Sequence, residues 1–152
     1  MEITKPSIND FNEIHSIFEE VHNLHQQNRP DLFKTKSHFT KEEFQNILND
    51  SNQIFLVIKN KHIEGFIHAT INNKSSNNTI HYKNLFISSF GIKKEYQNTG
   101  LGSKLIQELK KIAINQKCDN IILNVWSFND RAIAFYLKHG FKEQRKIMEI
   151  KL

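Results

Sequence analysis

Covalent staples and chain breakers are scarce in this chain. Cys118 is the single cysteine among 152 residues, so neither an internal disulfide nor a multi-cysteine zinc site can form. Pro6 and Pro30 are the only prolines, and there are just five glycines. No apolar run approaches the ~18 residues that a membrane-spanning helix needs. The opening MEITKPSINDFNEI also lacks the apolar stretch of a signal peptide. A large surplus of either charge is missing too: 21 Lys and Arg against 16 Asp and Glu leave +5. The basic residues are scattered, with no basic stripe interleaved with aromatics, so nucleic acid is not an expected partner. So small an excess fits plain solubility as well as it fits an acidic small-molecule partner. The expectation is one domain spanning residues 1–152, cytoplasmic and without a membrane partner. Whether it forms a homodimer stays open.

What is there reads as a regular alternation of elements. Residues 2–5 suit a short strand, and Ser7 or Asn9 can cap the helix that follows. Phe11, Ile14, Phe18, Val21 and His25 recur at helical spacing, until Pro30 disfavours helix at Arg29. Thr40 and Glu43 form a Thr-x-x-Glu capping box ahead of Phe44, Ile47 and Leu48. QIFLVI (Gln53 to Ile58) is an apolar strand that turns at Asn60-Lys61 into HIEGFIHATI. The polar stretch from Asn72 to Thr79 reads as a solvated loop, and Ile80 to Ile92 as a long strand. Leu101, Leu105, Leu109 and Ile112 mark a helix, Asn120 to Trp126 a buried strand, and Asn129 to His139 a helix capped by Asn129 and stopped by Gly140. KIMEIKL closes with a last strand. The predicted class is α/β: a mixed, mostly antiparallel sheet with helices on both faces and one right-handed parallel crossover.

The stretch QNTGLGS (Gln97 to Ser103) stands where a helix begins. A helix N-terminus leaves N–H groups unpartnered and carries partial positive charge. Gly100 and Gly102 remove side chains, and no carboxylate lies between Gln97 and Gln107 to repel an anion. Phosphate binding is one reading of that run, and a plain turn whose glycines satisfy the backbone is the other. It is neither a Walker A loop nor Gly-x-Gly-x-x-Gly, since no Gly-Lys-Ser/Thr occurs and position 105 is Leu.

Gln-x-x-Gly-x-Gly at a strand-to-helix junction, followed by SFNDRAIAFYLKHGFKE (Ser127 to Glu143), resembles the GNAT superfamily of acetyl-coenzyme A-dependent N-acetyltransferases. The resemblance covers most of the chain in element order and is sharpest from Ile87 to Glu143. It implies a sheet splayed open between its fourth and fifth strands, with acetyl-coenzyme A as cosubstrate in the opening. It implies that Gln97, Asn98, Thr99, Gly100, Leu101, Gly102 and Ser103 hold the pyrophosphate through backbone amides. Phe90, Gly91 and Ile92 match the strand end that bonds the pantetheine arm, and Asn129 matches a residue that contacts that arm. Tyr136 matches the general acid beside the sulfur; without the resemblance it reads as a core aromatic. No metal is implied.

The implied function is acetyl transfer to a primary amine, with a small molecule ahead as acceptor. A protein N-terminus or lysine as acceptor, or a non-catalytic acyl-coenzyme A sensor, are the alternatives. Some relatives that modify protein N-termini carry a glutamate base five residues before the helix asparagine. Asn124 stands there in this chain and cannot take a proton. Glu95, His81 and Tyr82 are the bases that rough location offers. His15, His22 and His25 share a helical face, read more readily as a polar helix edge than as a zinc site. Trp126 reads as a strand-end core residue, with a cofactor-adjacent aromatic as the alternative.

Overall fold

A computed structural model describes residues 1–152. The chain runs β1 (Glu2–Thr4), α1 (Phe11–Asn28), α2 (Lys41–Asn49), β2 (Gln53–Lys59), β3 (Ile63–Ser76), β4 (Thr79–Ile92), α3 (Leu101–Asn115), β5 (Asn120–Leu123) and α4 (Asp130–Lys138). One sheet holds the strands in the order β1-β2-β3-β4-β5. Every neighbouring pair is antiparallel except β4 and β5, which are parallel across the α3 crossover. The mixed sheet expected from the sequence is the one observed.

Burial on both faces explains the unbroken apolar run of β2. Ile54, Leu56 and Ile58 join the core beneath α3, with Leu105, Ile106 and Leu109. Phe55 and Val57 point the other way, onto Ile14, Ile17 and Phe44 of α1 and α2. A slip of one residue would exchange those two sets, so register is strongly specified. Asp10 accepts the Ser7 N–H at 2.6 Å, closing a 3-10 turn (Ile8–Asp10) that leads into α1. The Thr40 capping box forms as expected: Thr40 Oγ1 accepts the Glu43 N–H at 3.1 Å, and Glu43 accepts the Thr40 N–H at 2.9 Å.

Three boundaries differ from the sequence reading. The polar stretch from Asn72 is not a loop: β3 runs to Ser76 and β4 starts at Thr79. Its pairs Asn72↔Asn84 and Lys74↔Tyr82 belong to the backbone ladder, which polar side chains do not prevent. β5 stops at Leu123 rather than Trp126, because β4 and β5 pair only over Asn84–Ile87 and Asn120–Leu123. KIMEIKL is not in the sheet. Instead Glu149 meets Arg29 at 2.9 Å and Lys151 meets Asp31 at 3.3 Å, holding the segment against the α1–α2 connection.

The early end of the β4–β5 ladder creates the splay. His68 pairs with Ser89 and Ala69 with Ile87, so Ser88 is an extra, bulged residue. A bulge bends its strand and increases local twist. Beyond it β4 keeps β3 on one edge, through Ile92, and has no strand on the other.

Candidate active site

A cleft of about 1020 Å³ occupies the splay, between the end of β4, the start of α3, α4 and the C-terminal half of α1. Of the residues that the resemblance assigns to acetyl-coenzyme A binding or acid catalysis, all line it except Thr99. Thr99 instead closes the preceding turn, its hydroxyl donating to the Tyr96 carbonyl at 2.6 Å.

The β4 wall presents backbone. Ser88, Ser89, Phe90, Gly91 and Ile92 all line the cleft beside the unpaired edge. Gly91 is glycine for packing: a Cβ there would lie 2.9 Å from Ile17 Cγ2 and 3.1 Å from Val21 Cγ2, so its absence lets α1 sit on β4. The Ile92 carbonyl accepts the Gln97 Nε2–H at 2.8 Å, which ties the strand end to the glycine loop.

Two left-handed residues shape the glycine loop. Asn98 (φ 65°) and Gly100 (φ 87°) both take left-handed conformations, the kind of alternation that points successive N–H groups inward. The first bond of α3 runs from Lys104 N–H to Gly100 O at 3.2 Å. The N–H groups of Leu101, Gly102 and Ser103 therefore have no helical acceptor. Gly102 also has a packing role. A Cβ there would sit 3.2 Å from the rings of Phe135 and Phe90, so the missing side chain admits α4.

Two contacts lock α4 to this loop. His139 Nδ1–H donates to the Phe135 carbonyl at 2.8 Å, leaving Nε2 to accept from the Ser103 hydroxyl at 2.9 Å. Arg131 donates to Gln97 Oε1 at 2.7 Å and Asn98 Oδ1 at 3.0 Å. Sequence reasoning passed over Arg131, although it sits inside the second motif; its reach back to the loop is tertiary. Asn129 caps α4 by accepting the Ala132 N–H at 3.1 Å, so its amide nitrogen is not used by the cap.

Tyr136 lines the cleft with its ring packed by Phe90, Phe135 and Phe141, centroids 5.4–6.4 Å away. Burial pushes its hydroxyl up to about 12, so it stays protonated through the neutral range.

The remaining wall is aromatic and imidazole-rich. Burial, and secondarily the neighbouring His22, lowers His25. Burial lowers His68 to about 4, and its Nε2–H donates to Gln53 Oε1 at 2.6 Å. The three histidines of α1 do not converge. His15 lies 3.6 Å from Glu19, His22 donates to the Lys34 carbonyl at 2.7 Å, and His25 packs against Phe33. Asn124 lines the cleft; Glu95, His81 and Tyr82 do not. Glu95 pairs instead with Lys93 at 2.9 Å. Trp126 is a cleft residue rather than a core one, because β5 has ended before it; it stacks on Phe128 at 5.8 Å.

The Acetyltransferase (GNAT) family model matches residues 18–141. Over 61 residues, 40% of this chain, the sequence is 30% identical to a thialysine N-epsilon-acetyltransferase from Bos taurus; that match spans 36% of the relative's length. A mutant of the BH1408 protein from Bacillus halodurans superposes with a TM-score of 0.97 at 24% identity, over 100% of this chain and 99% of that one. Aminoglycoside N-acetyltransferase AAC(6')-Iy, in complex with CoA, gives 0.75 at 12% identity, over 99% and 98% of the two chains. At these identities the likeness to the solved structures is one of fold.

Proposed function

The chain belongs to the GNAT acetyltransferase family, and from that premise we propose that it moves the acetyl group of acetyl-coenzyme A to a primary amine on a small molecule. One observation carries the reading. The unpaired edge of β4 after Ile87, the free N–H groups opening α3 and Tyr136 line a single cleft.

In this reading the pyrophosphate rests on the N–H groups of Leu101, Gly102 and Ser103, at the positive end of α3. Asn98 and Gly100 shape its approach, Gln97 and Asn98 hold the Arg131 guanidinium beside it, and Thr99 braces the turn. The pantetheine amides pair with the open edge of β4 at Phe90, Gly91 and Ile92, as an added strand would. Asn129, whose amide nitrogen the α4 cap leaves free, lines the cleft and can donate to the same arm.

The amine attacks as a free base. Its nitrogen bonds to the thioester carbonyl carbon, the carbonyl oxygen takes up charge, and backbone N–H groups in a dry cleft stabilise that charge. The C–S bond then breaks. Tyr136 gives its proton to the departing sulfur, and the phenolate is restored by the proton released from the new amide nitrogen. No net proton enters or leaves, so Asn124 need not act as a base. The departing thiolate, whose conjugate acid is near 8.5, is a weaker base than a phenolate. Tyr136 therefore passes its proton on only as the C–S bond breaks and the amide-nitrogen proton comes back to it.

Thiol release from acetyl-coenzyme A in the presence of an amine panel tests the proposal, with product mass confirming an added acetyl group. Calorimetric binding of acetyl-coenzyme A runs alongside. Binding with acetylated product supports transfer. Binding without product from any amine leaves a sensor and removes the enzymatic reading.

A further inference from the structure

We propose that the acceptor amine sits on an uncharged, ring-bearing apolar body rather than on a polycation. This deepens the transfer reading above and rests on it. None of the residues lining the cleft is aspartate or glutamate, and its formally charged members, Arg131 and Lys138, are both cations. A polyamine or an aminoglycoside brings several ammonium groups, and each needs a carboxylate or water to replace its hydration. The acids around Arg29, whose guanidinium lies over the cleft residue Trp126, are already committed. Asp31 pairs with Arg29 at 2.8 Å and with Lys151, while Glu149 pairs with Arg29.

Aromatic faces could substitute for carboxylates through cation–π attraction. Here Trp126 and Phe55 are already engaged. Trp126 carries the Arg29 guanidinium 5.5 Å from its centroid and stacks on Phe128. Phe55 lies between Phe66 at 5.4 Å and His68 at 5.2 Å, both nearly parallel to it. What remains is an apolar wall that includes Phe18, Phe33 and Phe39. A ring on the acceptor packs well against aromatic side chains. The same surroundings disfavour the charged ammonium and favour the free base that attacks. His25 and His68 share this wall as neutral imidazoles, adding hydrogen-bonding capacity without charge.

The test compares kcat/KM for phenethylamine, spermidine and kanamycin on the whole chain, with acetyl-coenzyme A binding measured on the same preparation. Phenethylamine should lead both polycations by at least about tenfold, the scale of one well-placed apolar contact. Phe33→Asp should narrow or invert that order by supplying the missing carboxylate. Equal or faster turnover of spermidine or kanamycin overturns this inference and leaves acetyl transfer standing. Acetyl-coenzyme A binding with no phenethylamine product overturns this inference too. Failure to bind acetyl-coenzyme A removes both readings.

Discussion

Tyr136 and His68 show how one residue's surroundings set its chemistry. Both are pushed toward the neutral form by burial, Tyr136 up to about 12 and His68 down to about 4. Tyr136→Phe keeps the ring among Phe90, Phe135 and Phe141 and removes only the donor. Acetyl-coenzyme A affinity should hold while single-turnover transfer falls at least about tenfold, the lower part of what general acid catalysis supplies. The signs of the pH effects differ. The folded state holds the Tyr136 proton to higher pH than the unfolded chain, so that contribution is complete below pH 10 and is lost as pH rises toward 12. For His68 the unfolded chain takes the proton first. Stability present above pH 6.5 therefore falls as pH drops toward 4, by about 3 kcal/mol at 1.36 kcal/mol per pH unit. Proton NMR titration of the His68 ring should give a midpoint near 4, and chemical denaturation of His68→Gln should show a flatter acid limb.

At the scale of elements, the start of α3 and the bulge of β4 make the site together. The two glycines of the loop do different work, and substitutions should separate them. Gly100 has open space around it but a φ of 87°, so Gly100→Ala meets backbone strain alone. The expected cost is about 1–3 kcal/mol by denaturation. Gly102 lies in α3 itself, where alanine is favoured by about 1 kcal/mol, but a Cβ there presses on Phe135 and Phe90 at 3.2 Å. Gly102→Ala should therefore change stability little and lower kcat, because α4 carries Tyr136 next to the displaced Phe135. Unchanged turnover together with unchanged stability would show that α4 adjusts without moving Tyr136.

For the whole molecule, the two cores sit on opposite faces of one sheet, and the cleft opens where the sheet parts. The cleft wall is shared by elements distant in sequence: α1, the end of β4, the start of α3, and α4. A ligand that touches all of them should stabilise the fold. Acetyl-coenzyme A at 100 times its dissociation constant is expected to add about 2.7 kcal/mol, read as an upward shift of the melting curve. Arg131→Ala should reduce that shift without lowering the melting temperature of the free chain much, since Arg131 is exposed and its partners Gln97 and Asn98 are neutral. No helix is long and apolar enough to cross a membrane.

Local chemistry was legible in the sequence by itself. Apolar periodicity located the helices and the two-faced strand β2. The Thr40 box and the Asn129 cap were readable because each joins residues three apart. The glycine run and the second motif pointed to the family, hence to the splay. Other features depended on the tertiary structure, because they join residues far apart in the chain. Ser88 became a bulge only through its register against β3. Arg131 reached Gln97 and Asn98 from another helix. The purpose of Gly102 was set by Phe135, which sequence places on a later element. The acid-free character of the cleft emerged only when its walls were assembled. KIMEIKL shows the same division: alternation marks it as strand-forming, but a strand requires a neighbour, and the sheet of its own chain gives it none.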